Sequence, residues 1–511
     1  MSRYSPWKIT DFSGGQVEKF NDNMLPENAA FYCRNFIASR EGGISKRQGQ
    51  SRLNPTLGSG KIHGLHPYYF WQSGNRGLLA MHGGRPYAWN GTNFIEIGTN
   101  YTGSTISDSL FPVFNGALFN EVEFNKNIEY TLPGNASDMT LFADTVNYIV
   151  AMNGVDRPWK WDGDKIENLK GAPAKGRYPV LHKESVFCVD APEPSTLIWS
   201  DLFRPESWTP INYWDITKDD GDEITCLQPF LGDLIIFKGN SMHVLKGTTF
   251  QDFSLRTEET RVGCAGPLAS VVHQTTVFFI SSYGIYLTNG MNVQNISDQI
   301  IPDTWANVNK NYLHNSVAKV VGDHIWFAVP YGDSTVNNLV LVFDPQKGAF
   351  FPMTGIGATN YVYFNDTTTA LGTRLYAGDN TDGFVNLLGE GTEDYGSPVS
   401  AVWRGKFFDM GFSEVEKKAR EVYIQDSPET TETADISICL DYEKNPSTGD
   451  YVYNNLSFYR DQGLTREFKT NINTNRWVHV SPMIAHSKAG ACEIRGITVP
   501  FKPKQRMATR E

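Results

Sequence analysis

Cysteine is scarce and unpatterned in this chain. Six are spread over 511 residues, at positions 33, 188, 226, 264, 439 and 492, with no Cys-x-x-Cys pair. That density is far below a disulfide framework, and the spacing fits no zinc site. The expectation is buried thiols in a protein made in a reducing cytoplasm, although Cys439 and Cys492 fall in one β-rich region. Long apolar runs are also missing: none approaches the roughly 18 residues of a membrane span. Met1 to Lys8 lacks the apolar centre of a secretory leader, so none is expected. Positive charge is in deficit, with 45 Lys and Arg against 56 Asp and Glu, a net −11. Proteins that grip nucleic acid through its phosphates usually carry a basic face. The overall balance argues against such a grip; an acidic surface would repel DNA weakly and let it slide.

Catalytic signatures are equally thin. The chain has no Gly-rich phosphate loop, no His-Glu-x-x-His, no Gly-x-Ser-x-Gly and no dinucleotide fingerprint. The Ser-x-Asp-x-Gly-x-Thr-Trp box of sialidase-type propellers does not occur either. No enzyme activity, catalytic residue, cofactor or metal is expected.

What the chain does have is aromatics, at 13%, and glycine, at 46 residues, arranged in a recurring phrase. It reads Arg85-Pro-Tyr-Ala-Trp-Asn-Gly91, then Arg157-Pro-Trp-Lys-Trp-Asp-Gly163. Looser copies are Ser241-Met-His-Val-Leu-Lys-Gly247, Gly284-Ile-Tyr-Leu-Thr-Asn-Gly290 and Leu339-Val-Leu-Val-Phe-Asp-Pro345. Each is a short apolar strand closing on a dipeptide that supplies the positive or pre-set φ a tight turn needs. Another strand precedes nearly every copy, as in Asn147 to Val150 or Asp233 to Phe237. One such hairpin cannot stand alone, and several in series read as blades of a β-propeller.

The predicted fold is all-β: a β-propeller of six or seven blades, an extended N-terminal arm and a C-terminal β-sandwich-like domain. Residues 1–58 are polar and turn-rich, with a basic cluster at Arg40, Lys46, Arg47 and Arg52 and a short helix predicted over Pro26 to Cys33. They read either as a docking arm, dispensable for folding, or as a closing strand plus loop. The propeller occupies 59–395, with blade cores near 75–98, 145–169, 184–201, 231–255, 275–297, 322–353 and 373–389. The stretch 99–140 is a weakly patterned blade or an insertion. From 396 to 511, alternating strands around 401–409, 420–425, 435–441, 477–480 and 492–500 precede a basic tail at Lys502, Lys504, Arg506 and Arg510.

Three clusters bear on chemistry. Asp215-Ile-Thr-Lys-Asp-Asp-Gly-Asp-Glu223 gathers hard oxygen ligands, but an EF-hand needs a different alternation and a glutamate where Cys226 stands; an acidic surface loop is expected. His63 and His66 are the one close histidine pair, expected on a loop. Trp89, Trp161 and Trp199 would suit a sugar site, but their place in strands favours the core.

The N-terminal segment carries a resemblance. Asp11-Phe-Ser-Gly-Gly15, Leu25-Pro-Glu27, Cys33-Arg-Asn-Phe36 and Gly42-Gly-Ile-Ser-Lys-Arg-Gln-Gly49 resemble the opening of a family of bacteriophage tail proteins. Gly232 to Asn240, Gly263 to Pro267, Phe278 to Tyr286, His324 to Pro330 and Leu341 to Asp344 extend the likeness to the tail hub or nozzle (packaged-DNA stabilisation) propellers of short-tailed phages. The resemblance implies a structural virion protein of the phage tail, made in the bacterial cytoplasm. Copies, six to a ring, would extend and seal the DNA ejection channel below portal and adaptor, passing double-stranded DNA without reading it. Partners would be further copies, portal, adaptor and other tail proteins, and a tail fibre or spike. Phe12, Gly14, Gly15, Leu25, Pro26, Asn35, Lys46, Arg47 and Gly49 are the candidate assembly-arm residues. The alternative is a receptor-binding or glycan-degrading tail protein on a propeller scaffold.

Overall fold

The phrase that recurs in the sequence marks the turn between the third and fourth strands of successive sheets. Gly91, Gly163, Gly247 and Gly290 take φ of +97°, +99°, +109° and +89° there, the left-handed region that favours glycine. Asn90 Oδ1 accepts from the Thr92 and Asn93 amides at 2.9 and 2.8 Å, and Asn289 Oδ1 from Met291 and Asn292 at 3.1 and 3.0 Å. These side chains fix the turn and leave the flanking apolar strands to pair.

The computed structural model describes residues 5–504 except 20–23, 40, 54, 71–73, 98–138, 146, 165, 170, 250, 260, 367–371, 428–433, 457–458 and 461–466. Within them, antiparallel four-stranded meanders follow one another, spanning 62–96, 141–168, 176–215, 224–259, 270–295 and 317–354. A further sheet uses Tyr361–Asp366, Gly372–Gly378 and Val385–Leu388. Its fourth strand is borrowed from the N-terminal segment: β5, Gln50–Arg52, pairs antiparallel with Val385–Leu388, Ser51 opposite Leu387. First strands of neighbouring sheets lie side by side from the first sheet to the sixth, and Tyr361–Asp366 lies against Ile62–Phe70 of the first. The sheets thus close into a β-propeller. The stretch predicted at 99–140 falls, up to residue 138, outside the described residues, as do Arg40, Arg506 and Arg510.

Four more N-terminal strands join the C-terminal region: β1 (Ser5–Ile9), β2 (Ala30–Arg34), β3 (Phe36–Ala38) and β4 (Ile44–Lys46). One seven-stranded sheet contains β1, β3 and β4 with Lys417–Asp426, Tyr459–Arg460, Glu467–Trp477 and Glu493–Pro503. A five-stranded sheet contains β2 with Ala401–Gly405, Asp435–Leu440, Asn454–Leu456 and Val480–His486. The helix predicted at Pro26 to Cys33 is therefore replaced by a turn and β2. Asn28 spends its amide on Asp11 Oδ2 and Ser13 Oγ, and Ala30 and Cys33 bury against the Ala401–Gly405 strand. A partner strand about 370 residues away, not local propensity, decides this element.

One apolar cluster runs through all three parts of the chain: Phe12 and Phe36, Val340 and Phe351 of the ring, and Trp403 and Ile494 beyond it. Among the described residues of 1–58, most of the buried apolar side chains belong to this shared cluster.

Candidate functional site

The described residues between Asp11 and Gly49 form a seam between the ring and the C-terminal sheets, and the candidate assembly residues lie along it. Phe12 is fully buried, edge-on to Trp403 at 5.0 Å. At Gly14 a Cβ would meet Asn28 Oδ1 at 2.8 Å. At Gly15, with φ +64°, it would lie 2.5 Å from the Phe350 carbonyl. Bare backbone at these positions lets the next amide, Gln16 N, donate to Phe350 O at 2.8 Å, covering the outer strand of the sixth sheet. Two residues on, Glu18 N donates to Ile300 O, and Glu18 Oε2 accepts from Thr304 N at 2.7 Å in the helical turn Pro302–Ala306.

Asn35 is the hub. Buried and held at φ +58°, it donates through its backbone N to Pro352 O and through Nδ2 to Thr354 Oγ1 and Ser400 O. Its Oδ1 accepts from Thr354 N at 2.8 Å and Arg47 Nε at 3.1 Å. Arg47, also buried, forks onto both Asp394 oxygens and donates to the carbonyls of Gln48 and Thr354. A paired, hydrogen-bonded guanidinium is the form in which a buried charge is tolerated. Lys46 donates to His486 Nδ1 at 3.1 Å and Lys488 O at 2.9 Å, and burial pulls its pKa below the usual lysine range. At Gly49 a Cβ would sit 2.0 Å from Glu393 O. Leu25 is buried, and its carbonyl accepts from Lys406 Nζ at 3.0 Å; Pro26 is exposed in the adjoining turn.

Apart from Pro26, these side chains and glycines face their own chain, where the ring's outer strand and the C-terminal sheets supply their hydrogen bonds and apolar surface, and β5 of the same segment serves as the closing strand of the last propeller sheet. Asp394, Thr354, Glu18 and His486, the partners that complete the seam, carried no signal: Arg47 and Asp394 stand 347 positions apart.

Elsewhere the chemical candidates are structural. In the acidic loop, Asp220 grips the ammonium of fully buried Lys238 at 2.6 and 2.7 Å. Asp222 accepts from the Gly239 and Asn240 amides, and Asp215 from Thr196 Oγ1. A lysine of the sheet that follows the loop thus occupies the carboxylate that suggested a metal. His63 and His66 lie in the strand Ile62–Phe70 rather than on a loop, and with His63 buried while His66 pairs with Asp144 at 2.8 Å, the two do not share a site. Trp89, Trp161 and Trp199 are core residues; Trp161 meets Tyr68 and Phe70 edge-on at 4.8 and 5.3 Å. All six cysteines are buried and free, Cys439 and Cys492 included. Among the described residues no helix is long and apolar enough to cross a membrane, and no three His, Cys, Asp or Glu are grouped to hold a metal ion.

No family model matches the chain, and no curated protein matches it. Solved structures do align. The computationally designed protein Ika8 covers 66% of this chain and 99% of its own at 12% identity and a TM-score of 0.37. YCF48 from Cyanidioschyzon merolae covers 66% and 98% at 9% identity, TM-score 0.37. A YCF48 bound to the D1 peptide covers 67% and 95% at 7% identity, TM-score 0.38.

Proposed function

We propose that this chain is a structural virion protein, a tail hub or nozzle component whose copies form a ring that extends and seals the DNA ejection channel. The observation that carries the reading is the seam. The segment whose motifs resemble the phage family, Asp11 to Gly49, is the one that stitches propeller and C-terminal sheets into a single core. A channel wall holding back pressurised DNA needs a stiff subunit, and a closed ring of sheets bolted to a second module at several points supplies one. On this reading the propeller has seven blades, the last completed by β5, and the two C-terminal sheets form a sandwich. Identical copies meeting head to tail close into a ring if the rotation allows it.

Electron microscopy of purified particles tests this directly. A sixfold ring of propellers on the portal axis, with DNA density ending in its lumen, is the expected result. Peripheral density with threefold or no symmetry would instead move the chain to host recognition.

A further inference from the structure

The link between the fourth and fifth propeller sheets brings two cysteines together. Cys226 lies in Ile224–Phe230, the first strand of the fourth sheet, opposite Phe237. Cys264 lies in the link that joins Ser254–Glu259 to Ser270–His273, the first strand of the fifth. That link runs against the fourth sheet: Cys264 N donates to Lys238 O at 3.1 Å, and its carbonyl accepts from Thr225 Oγ1 at 2.7 Å. Gly263 permits the approach, since a Cβ there would sit 1.9 Å from Lys238 O. One residue beyond Cys264, Ala265 N donates to Ile280 O of the fifth sheet at 2.8 Å.

Both side chains are buried in one apolar cluster. Cys226 Sγ lies 3.1 Å from Ser270 Oγ and 3.4 Å from Pro267 O, and Cys264 Sγ lies 3.3 Å from Gly266 O. The two thiols also hydrogen-bond each other. That bond, with the one to Ser270, outweighs burial and holds Cys226 below the usual thiol range. Burial and the same bond hold Cys264 well above it. An isolated buried thiol is inert, whereas a thiol with thiolate character beside a second, resolving sulfur is the arrangement of a redox pair. The other four cysteines lack it. Cys33 and Cys439 spend their thiols on the Phe36 and Glu443 carbonyls at 3.6 and 3.5 Å. Burial pushes Cys33, Cys188, Cys439 and Cys492 alike above the usual range.

We propose that Cys226 and Cys264 form an oxidative modification site, a dithiol that hydrogen peroxide converts to a disulfide stapling the fourth sheet to the segment that enters the fifth. The Cys226 sulfur attacks one peroxide oxygen. The O–O bond breaks, the other oxygen leaves as water with the thiol proton, and Cys226 becomes a sulfenic acid. The Cys264 sulfur then attacks the Cys226 sulfur, the S–O bond breaks, and a second water leaves with the Cys264 proton. Two thiols are oxidised to one disulfide, and one peroxide is reduced to two waters. A chain folded with its thiols reduced would acquire the staple on meeting the oxidant.

The test exposes the native full chain to hydrogen peroxide until glutathione in a parallel sample is fully oxidised. The chain is then denatured, its free thiols are alkylated and counted, and its peptides are mapped by mass. Free thiols should fall from six to four, with one cross-link, between the peptides of Cys226 and Cys264. Dithiothreitol should restore all six, and the oxidised chain should unfold at a higher temperature than the reduced one. Cys226→Ala should keep its five thiols under the same treatment, whereas Cys439→Ala should fall from five to three. Retention of all six thiols, a cross-link between any other pair, a sulfinic acid at Cys226 with Cys264 still alkylated, or a lower unfolding temperature after oxidation would overturn the proposal. Should Cys226→Ala fail to fold, the thiol count and peptide map of the unmodified chain still decide it.

Discussion

A methyl group at Gly49 would lie 2.0 Å from the Glu393 carbonyl oxygen and 2.5 Å from its nitrogen, inside any real contact distance and against backbone on both counts. The seam must open to admit it. Gly49→Ala should therefore cost about 2–3 kcal/mol. Gly232, at φ +86° with nothing within 4 Å, is the control: Gly232→Ala meets conformational strain alone and should cost only about 1 kcal/mol. Thermal unfolding of both variants separates the two; equal midpoints would remove the steric argument. At Asp220, burial pushes the carboxyl up, but hydrogen bonds from Lys238 Nζ, the Asp222 amide and Thr217 outweigh it and bring the pKa to about 2. The pair thus contributes stability that is fully present above the ordinary 3.8 and is lost as pH falls through about 2. Asp220 is more than a third exposed, so solvent screening limits the effect. Asp220→Asn should destabilise by about 1–3 kcal/mol at neutral pH, below the full penalty of a stranded buried charge. The gap from wild type should close between pH 4 and 2. A constant gap across that range would show that the carboxylate charge is not what holds Lys238.

Elements formed from neighbouring residues were legible in the sequence, and elements formed from distant ones were not. The strand-turn phrases mark meanders because Asn90, Asn289 and the glycines after them fix the turns within a few residues. Asp344 does the same by accepting from the Gln346 and Lys347 amides at 2.9 and 3.2 Å. A closing strand was one of the two readings of residues 1–58, but its position at β5 and its pairing with Val385–Leu388 were not legible, because β5 precedes its partner by more than 300 residues. β2 read as a helix for the same reason. Asn35, Arg47 and the glycines drew attention through motif resemblance, yet their role depends on Thr354, Asp394 and Glu393, which no local pattern announces. The pairing has a consequence for truncation. Deleting residues 1–49 removes β1 to β4 from both C-terminal sheets. Hydrogen exchange should then show the Ala401–Gly405 and Glu493–Pro503 amides losing protection, while the sheets between 224 and 295 keep theirs. Unchanged protection in Glu493–Pro503 would mean that the N-terminal strands decorate a module that is stable without them.

At the scale of the whole molecule, charge separates passage of DNA from capture of it. Capture needs cations facing phosphates, and affinity then falls steeply with salt as counterions are released. Three of the basic residues that stood out in the sequence are not disposed that way. Lys46 and Arg47 are buried in the seam. Arg52 is exposed but lies over the Phe384 and Tyr395 rings at 3.8 and 4.9 Å. With a net charge of −11, the remaining surface is on average repulsive to a duplex. In the proposed nozzle, a wall of this kind would contact DNA without holding it, so that the load is released on ejection. The expected outcome in fluorescence anisotropy with a labelled duplex is no saturable binding at physiological salt, weaker than about 10⁻⁴ M, the weak end of non-specific affinity. Lowering the salt should leave that result in place, since a net charge of −11 gives counterion release little to strengthen. Binding that tightens as salt falls would reveal a basic lining, and the passive-wall account would give way to one in which the ring itself grips the DNA end.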